Sequence, residues 1–417
     1  MRIRALLLFL ACCLLIVNTA VPAGTVWAQE TEARIVAIGD VHGAYGALVD
    51  VLGATGLVDE GLAWSGGDSV LVQTGDLLDG GSEVRQVLDL MMRLQTEARA
   101  AGGDVIVLLG DHEVLNILGE LRDVSPATFA TFAAEEQTEM LGEAFQEFAR
   151  AFLRTQTGSG YGQANRSTKE RVRDQWVGNQ VPGRVEYARA MGPGGVYGEW
   201  LRTLPVTAMV GGVMFAHAGI APQLAAWSPE DINQRLADEI ALLDAERAHL
   251  LGQGFITSFG DIAETVRAIT FDARGLDWFE APREMLNKPP ALPAEDFDRL
   301  DRFERSEPVL RINGWFMLAP RGPIWSNGFA ESPEGMLQAT LPGLLEATGS
   351  RAVVAGHVPN EDGAIRARVE GRLFLIDTGM AQGGKAAALV IEGDQIEAVY
   401  ADGSRQSMPA PGTSASH

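Results

Sequence analysis

The sequence RIVAIGDVHG at residues 34–43 joins a short apolar run to a Gly-Asp pair and a histidine. The pattern of an apolar run ending in Gly-Asp recurs in VLVQTGD at 70–76 and in DVIVLLGD at 104–111. Each run has the length and β-branched content of a buried strand, and helical patterns at 44–54 and 83–101 lie between the runs. Alternating strands and helices predict a parallel sheet, in which ligands gather beyond the carboxyl ends of the strands.

The rest of the chain predicts elaborations of this core and further strands. Residues 126–200 read as a mostly helical insertion, and residues 255–315, with several prolines and aromatic residues, as a second elaboration. Residues 206–216 predict a hairpin turning at Gly211 and Gly212. Five short apolar runs between 352 and 400 favour a second sheet packed on the first. The Ser-, Pro- and Gly-rich residues 402–417 predict a disordered tail.

The chain is strongly acidic. It has 417 residues and a formal net charge of −22. Such a surface repels the phosphates of nucleic acids and anionic lipids, so we expect no nucleic-acid partner. A solvated acidic exterior is the simplest interpretation of this charge.

The first 28 residues have the pattern of a signal peptide. Arg2 and Arg4 precede an unbroken apolar run at 5–17, and Val26-Trp27-Ala28 is a plausible cleavage site. Both cysteines lie in this segment, so the mature chain would use no disulfide. We therefore predict a periplasmic or secreted protein without a membrane span after cleavage. An uncleaved anchor remains an alternative, as does a lipoprotein, although the sequence before Cys12 is a poor lipobox.

Four of the six histidines lie close to glycine where strands are predicted to end. They are His42, His112, His217 and His357. A single histidine of this kind is more often a structural hydrogen-bonding residue than a ligand. Four of them in one context indicate a functional site.

Metal ligation accounts for this pattern. Asp40 and His42 lie two residues apart, so on extended backbone they point the same way and can chelate one ion. Asp76 leaves the neighbouring strand and could bridge two ions at the ~3.5–4 Å separation that suits in-line attack on phosphorus. The remaining ligands of the second ion would be Asp111, His217 and His357. Oxygen and nitrogen donors without thiolate favour two divalent ions of Mn, Fe or Zn.

His112 directly follows Asp111 and is the candidate general acid, which would protonate the leaving oxygen. Asp79 could hydrogen-bond its imidazole, although an ordinary turn or cap aspartate is nearly as good an interpretation of Asp79 by itself. A metal-bridging hydroxide would be the nucleophile.

Five blocks, in order along the chain, resemble those of the calcineurin-like metallophosphoesterases: GDVHG at 39–43, GDLLDGG at 75–81, GDHE at 110–113, HAG at 217–219 and GH at 356–357. LLGDHEVLNILGELRDVSP at 108–126, GPIWSNG at 322–328 and IDTGM at 376–380 are most similar to the bacterial Shewanella-like members of the PPP-type phosphatases. Over roughly residues 34–401, the resemblance implies an α/β fold, a β-sandwich of two mixed sheets flanked by helices.

The resemblance also implies roles for individual residues. Asp40, His42 and Asp76 would bind the first metal, while Asp76, Asp111, His217 and His357 would bind the second. His112 would be the proton donor, oriented by Asp79. The substrate would be a phosphorylated small molecule or a phosphoprotein.

Three departures from the family pattern weaken the expected grip on phosphate. Gly80 stands where the family has a phosphate-binding Arg, Asp111 stands where it has Asn, and Ser326 and Asn327 follow Trp325 where an Arg is common. Loss of a guanidinium fork removes a charge-assisted contact to phosphate. Arg321 or Arg85 could compensate, and Arg321 is our candidate for substrate binding.

Two alternatives to a phosphomonoesterase stay open. A metal-binding pseudophosphatase with a binding or regulatory role would hold metal without turnover. A phosphodiesterase or dinucleotide polyphosphate hydrolase would use the same metal site on a different substrate.

Overall fold

The computed structural model describes residues 28–29, 33–135, 137–155, 165–220, 224, 226–273 and 306–411. Apart from Ala28, the predicted signal peptide lies outside these residues. So do residues 412–417 of the predicted tail and residues 274–305 of the second elaboration.

The described strands are β1 (Ala28–Gln29), β2 (Ile35–Ile38), β3 (Val70–Gln73), β4 (Asp104–Val107), β5 (Thr207–Val210), β6 (Val213–Ala216), β7 (Ala352–Ala355), β8 (Arg366–Arg368), β9 (Leu373–Leu375), β10 (Ala387–Glu392), β11 (Gln395–Tyr400) and β12 (Arg405–Ser407). They form two six-stranded sheets, in the orders β12-β11-β10-β2-β3-β4 and β1-β5-β6-β7-β9-β8.

Helices flank both sheets. The α-helices described are Tyr45–Ala54, Val84–Ala101, Asp111–Ile117, Pro126–Ala130, Gln137–Thr155, Arg166–Gly178, Arg184–Met191, Val196–Leu201, Pro229–Gln253, Ile262–Ala273, Gly328–Glu331 and Glu334–Thr348. Short 3-10 turns lie at Ile312–Gly314, Phe316–Leu318 and Met380–Gln382. Within the described ranges, no helix has both the length and the apolar content needed to cross a bilayer.

The parallel sheet predicted from the three Gly-Asp runs is confirmed. β2 pairs in parallel with β3, and β3 with β4, so that Ile35, Val70 and Asp104 lie side by side. The carboxyl ends of these strands therefore meet at one edge, where the three Gly-Asp pairs follow. β6 and β7 are likewise parallel neighbours in the second sheet.

The two sheets pack face to face, which confirms the predicted sandwich. Ala37 and Val72 of the first sheet share a buried cluster with Phe215, Val354 and Phe374 of the second. Fully burying a side chain such as phenylalanine contributes roughly 1.5–3 kcal/mol. The opposite faces of the sheets are covered by the helices.

The prediction that the five runs after residue 352 belong to a second sheet packed on the first is wrong in part. β10 pairs antiparallel with β2, with Ala388 opposite Ile38, so β10, β11 and β12 extend the first sheet. β7, β8 and β9 instead join the β5–β6 hairpin. Short apolar runs identify strands but do not indicate which other strands they pair with.

The disordered tail predicted at 402–417 is also wrong for part of its length. β12 pairs antiparallel with β11, and Arg405 Nη1 lies 3.0 Å from Glu397 Oε2. Backbone pairing can order a segment whose side chains are small or polar. The described part of the insertion at 126–200 contains five helices, from Pro126–Ala130 to Val196–Leu201.

Candidate metal centre

The candidate ligands all follow strands at the same edge of the sandwich. Asp40 and His42 follow β2, Asp76 follows β3, and Asp111 follows β4. In the second sheet, His217 directly follows β6 and His357 follows β7. The sheet order thus brings together side chains that are up to 317 positions apart in the chain.

Among the residues that the structure describes, two groups of side chains are placed to hold a metal ion, and Asp76 belongs to both. One group contains Asp76, Asp111, His217 and His357, and the other contains His42, Asp76 and His112. Within each group, the potential ligand atoms lie within 4.8 Å of one another. The first group coincides with the residues predicted for the second ion.

The histidine tautomers suit metal ligation. His217 Nδ1 lies 2.9 Å from the carbonyl oxygen of Thr74, and a carbonyl only accepts, so Nδ1 carries the hydrogen. In the neutral ring, Nε2 then turns a lone pair towards Asp111 Oδ1, 3.0 Å away. Two acceptors at this distance need a cation or a proton between them. The donor set therefore fits a divalent ion.

His42 repeats this arrangement in the second group. Its Nδ1 lies 2.9 Å from the carbonyl oxygen of Leu78, and its Nε2 lies 3.4 Å from Asp76 Oδ2. Burial lowers the pKa of His42, and the nearby His112 lowers it further. The neutral, ligating form of this imidazole is thus favoured.

Buried carboxylates supply the negative charge of the centre. Burial raises the pKa of Asp76 well above its usual value, and repulsion from Asp111 adds to the effect. For Asp111, burial also acts to raise the pKa, but the adjacent imidazoles of His217 and His357 outweigh it, and the pKa is lowered. Carboxylates confined in this way are stabilised by positive charge placed among them.

Asp40 lies beside the two groups rather than within either. Its two carboxylate oxygens each accept a hydrogen bond from the backbone N–H of His357 at 3.1 Å. Burial, followed by repulsion from Asp377, raises its pKa well above the ordinary value. Asp40 therefore holds the His357 loop through this hydrogen bond, and its ligation of the first ion stays a prediction.

His112 and Asp79 form the pair expected of a general acid and its partner. His112 Nδ1 lies 2.8 Å from Asp79 Oδ2, and Asp79 is fully buried. Burial acts to lower the pKa of His112, but the hydrogen bond to Asp79 and the negative charges of Asp111, Asp79 and Glu113 together outweigh it, so the pKa is raised. Because Nδ1 is engaged by Asp79, Nε2 is the nitrogen left to act on a substrate.

The backbone of these loops is strained where the functional side chains leave it. Non-glycine residues with positive φ include His42, Asp76, Asp79 and His357, at 45°, 58°, 64° and 72°. Such conformations cost of order 1–3 kcal/mol each and persist only where surrounding contacts enforce them. At Gly110, any Cβ would collide with Asp76 Oδ1, so the glycine before Asp111 is needed for close approach.

Glu113 fixes the loop that carries Asp76, a role that the sequence did not indicate. Its fully buried carboxylate accepts hydrogen bonds from the backbone N–H groups of Asp76, Leu77, Leu78 and Gly110. The four distances are 2.8, 2.9, 3.2 and 2.8 Å. Its place directly after His112 in GDHE was the available signal, but spacing alone did not reveal the contacts.

Asp377 is a second residue that the sequence left without a role. It lies in IDTGM, is 2% exposed, and its negative charge repels that of Asp40. Burial raises the pKa of Asp377. Its position beside Asp40 adds another acid to the rim of the metal centre.

The structure also shows where the residues lie that depart from the family's phosphate-binding pattern. Gly80 has φ +74°, and a Cβ there would stand 3.0 Å from His42 Cβ. Arg321 is exposed and lines a cavity of about 420 Å³ together with Ser326 and Asn327. Arg85 donates to the carbonyl oxygen of Thr131 at 3.0 Å, so it is anchored to the insertion.

One known protein family matches most of the chain. A sequence model described as calcineurin-like phosphoesterase matches residues 33–361. A cold-active protein-tyrosine phosphatase from a psychrophilic Shewanella shares the fold, with a TM-score of 0.55 at 19% identity. The match covers 90% of this chain and 80% of that one.

Sequence relatives include two proteins named for the Shewanella-like phosphatases. Shewanella-like protein phosphatase 2 of Arabidopsis thaliana is 28% identical over 207 residues, which are 50% of this chain and 51% of that protein. Shewanella-like protein phosphatase 1 of Plasmodium berghei is 35% identical over 101 residues, 24% of this chain and 28% of that protein. The chain thus spans about half, or less, of the length of these relatives.

Proposed function

Because the chain belongs to the calcineurin-like phosphoesterases, we propose that it hydrolyses phosphomonoesters at the Asp76-centred metal site. The observation that carries the proposal is that Asp76 belongs to both ligand groups, beside the His112–Asp79 pair. A carboxylate that can be shared by two metal ions, next to a proton donor, suits the in-line transfer of a phosphoryl group to water. The names of the relatives favour phosphoproteins as the substrate class.

Two divalent ions, of Mn, Fe or Zn, would be held around Asp76. Asp111, His217 and His357 would hold one of them with Asp76, and His42 would hold the other with Asp76 and the predicted ligand Asp40. When bound, these ions supply the Lewis acidity that draws charge from the phosphoryl oxygens. The ligand types, carboxylate oxygen and imidazole nitrogen, suit all three metals.

His112 would act as the general acid. Asp79 accepts the Nδ1 hydrogen at 2.8 Å and stabilises the protonated imidazole, so Nε2 can deliver its proton to the leaving oxygen. A protonated Nε2 has no lone pair for a metal. His112 is therefore better suited to proton transfer than to ligation, although it lies in one of the two groups.

This site would bind the substrate phosphate more weakly than a site with the usual residues of the family. Gly80 offers no side chain to the phosphate, and Asp111 brings negative charge where the family has an amide. We propose that Arg321 supplies a cation to the phosphate; the support is its place in the sequence, because the cavity that it lines contains none of the candidate ligands. The consequence would be a high KM for small aryl phosphates, with more of the binding energy supplied by the rest of a larger substrate.

The test is turnover by the purified mature protein with added Mn²⁺, on p-nitrophenyl phosphate and on a phosphoserine peptide. We expect hydrolysis of both, loss of activity with a chelator and recovery when metal is restored. The Asp76→Asn variant should lose more than about 100-fold in kcat/KM. Bound metal without turnover above this variant would replace the enzyme by a pseudophosphatase. Turnover confined to bis(p-nitrophenyl) phosphate would indicate a phosphodiesterase.

We also propose that the protein is exported after cleavage behind Ala28. The support is the charged start, the apolar run at 5–17 and the small-residue cleavage pattern. Expression with and without residues 1–28, followed by cell fractionation and mass spectrometry, tests this. A mature chain beginning at Gln29 outside the cytoplasm is expected, and full-length protein in the cytoplasm would contradict export.

A further inference from the structure

A line of hydrogen bonds runs from His112 into the helical insertion. His112 Nδ1 lies 2.8 Å from Asp79 Oδ2, and Asn116 Nδ2 donates to Asp79 Oδ2 at 3.2 Å. Tyr187, on the helix Arg184–Met191, then donates its hydroxyl hydrogen to Asn116 Oδ1 at 2.8 Å. The insertion thus reaches the proton-donating pair through one intermediate side chain.

We propose that Tyr187 is a positioning residue for the general acid, which acts through Asn116, so that the insertion completes the catalytic site. This role rests on the proposed phosphomonoesterase function, because it concerns the same proton transfer. It assigns the insertion a part in turnover that is distinct from a lid over the substrate.

The chemistry of the amide fixes the direction of every bond in this line. Asn116 Nδ2 also donates to the backbone carbonyl oxygen of His112 at 2.9 Å. That carbonyl and the carboxylate of Asp79 only accept, so the NH₂ group of Asn116 must face them. The oxygen of the amide then faces Tyr187, whose hydroxyl hydrogen is the donor that it needs. Asp79 receives hydrogens from both sides and is held ready to accept Nδ1–H.

Burial makes these bonds costly to lose. Asp79 and Tyr187 are fully buried, and Asn116 is 3% exposed. Without the hydroxyl of Tyr187, the amide oxygen of Asn116 would lose its partner in a site closed to bulk water. If the amide rotated to recover a partner, its oxygen would be brought against the carboxylate of Asp79. Either outcome loosens the hold on His112.

The ring of Tyr187 is itself clamped by the insertion. Phe129 and Phe132 meet it edge-on, with ring centroids 5.3 and 4.9 Å away. Burial, with Asp79 nearby, raises the pKa of Tyr187 well above its ordinary value. The hydroxyl therefore keeps its hydrogen and remains a donor.

A second contact ties the insertion to the same loop. Thr128, which is fully buried on the helix Pro126–Ala130, donates its hydroxyl to the carbonyl oxygen of Gly81 at 2.7 Å. Gly81 is two residues after Asp79. The insertion thus contacts the loop that carries Asp79 directly at Gly81 and, through Asn116, at Asp79 itself, which is the arrangement expected if the insertion sets the position of that loop.

Tyr197 offers a matched control for Tyr187. It lies in the same insertion, is 4% exposed and meets Phe132 edge-on at 5.9 Å. Its hydroxyl also donates to a residue outside the insertion, Asp89 on the helix Val84–Ala101, at 2.7 Å, in a contact that is only partly buried. Tyr187→Phe and Tyr197→Phe therefore each remove one hydroxyl by which the insertion contacts the rest of the domain. In the first variant alone, that hydroxyl belongs to the line that ends at His112.

The kinetic readout is the dependence on the leaving group. A general acid matters most when the leaving oxygen is strongly basic, as in a phosphoserine peptide, and least for p-nitrophenyl phosphate. We expect Tyr187→Phe to lower the ratio of kcat on the peptide to kcat on p-nitrophenyl phosphate about tenfold, with KM nearly constant. Tyr197→Phe should leave this ratio unchanged. An unchanged ratio in Tyr187→Phe, or equal changes in both variants, would overturn the proposal.

A nuclear magnetic resonance measurement, which needs no turnover, distinguishes failure of the positioning role from failure of the proposed phosphatase function. In the metal-free protein, the His112 Nδ1 hydrogen should give a downfield proton resonance that Asp79→Asn removes. We expect Tyr187→Phe to shift or broaden this resonance and Tyr197→Phe to leave it in place. If the wild type is inactive and the resonance responds in this way, the phosphatase function fails but the positioning stands. If the enzyme is active and neither the resonance nor the ratio responds, the positioning role fails alone.

Discussion

The strand-end loops of the sandwich and the helical insertion hold functional side chains in different ways. In the loops, ligands such as Asp76 and His357 leave strained backbone that is fixed by the sheet and by buried carboxylates. In the insertion, Thr128 and Tyr187 reach the site from packed helices through their hydroxyl groups. On the proposed function, the strand-end loops alone would hold the metal ions, whereas the loops and the insertion together would align the proton donor. Changes in the core should damage folding and metal affinity, and changes in the insertion should damage proton transfer.

The largest effect on the core side is expected from Glu113→Gln. The new NH₂ group would face backbone N–H groups, and at least one buried hydrogen bond to a charged acceptor would be lost, so we expect a loss of about 3 kcal/mol in the free energy of unfolding. Urea unfolding of the metal-free protein measures this. Glu97→Gln is the control, because Glu97 Oε2 also accepts one backbone N–H, from Trp64 at 2.9 Å, but is partly exposed. Equal losses in the two variants would contradict the role given to Glu113.

Gly80→Arg tests whether the missing arginine can simply be restored. At φ +74° a side chain costs about 1–2 kcal/mol, and its Cβ would press on His42 Cβ at 3.0 Å. We expect lower stability and weaker metal binding rather than higher activity, as measured by thermal unfolding and Mn²⁺ titration. Gly56→Arg is the control, since Gly56 has φ +68° and open space around its Cβ position. A stable Gly80→Arg variant with raised kcat/KM would show that the loop adapts and that the lost guanidinium limits the enzyme.

The smallest effect is expected on the insertion side, from Thr128→Val. The change keeps the shape and removes the hydroxyl bonded to Gly81, so we expect a loss of about 1 kcal/mol in unfolding free energy. Metal affinity should be unchanged, and kcat on a phosphoserine peptide should fall a few-fold. Thr131→Val, which loses only a local bond to the carbonyl oxygen of Thr128, serves as the control. Loss of metal affinity in Thr128→Val would erase the distinction between the two regions.

The same division explains what the sequence could predict. The ligands lie at the ends of strands whose apolar runs and glycines are visible locally, so Asp76, His217 and their neighbours could be named together. Tyr187 lies 71 positions from Asn116 along the chain, and nothing near either residue announces their contact. The pairing of β10 with β2 is equally remote in sequence. Local chemistry predicts which side chains leave the sheet, but the contacts that hold them depend on packing between distant segments.

The most direct test of the central claim is the number of metal ions bound per chain. Metal-free protein would be loaded with Mn²⁺, freed of excess by gel filtration and analysed by inductively coupled plasma mass spectrometry. If Asp76 holds both ions, the wild type should retain about two ions, His42→Ala about one, and Asp76→Asn fewer than His42→Ala. Circular dichroism of the metal-free variants would check that the fold is kept. A wild type that binds a single ion, or an Asp76→Asn variant that keeps the full complement, would contradict a centre built on Asp76.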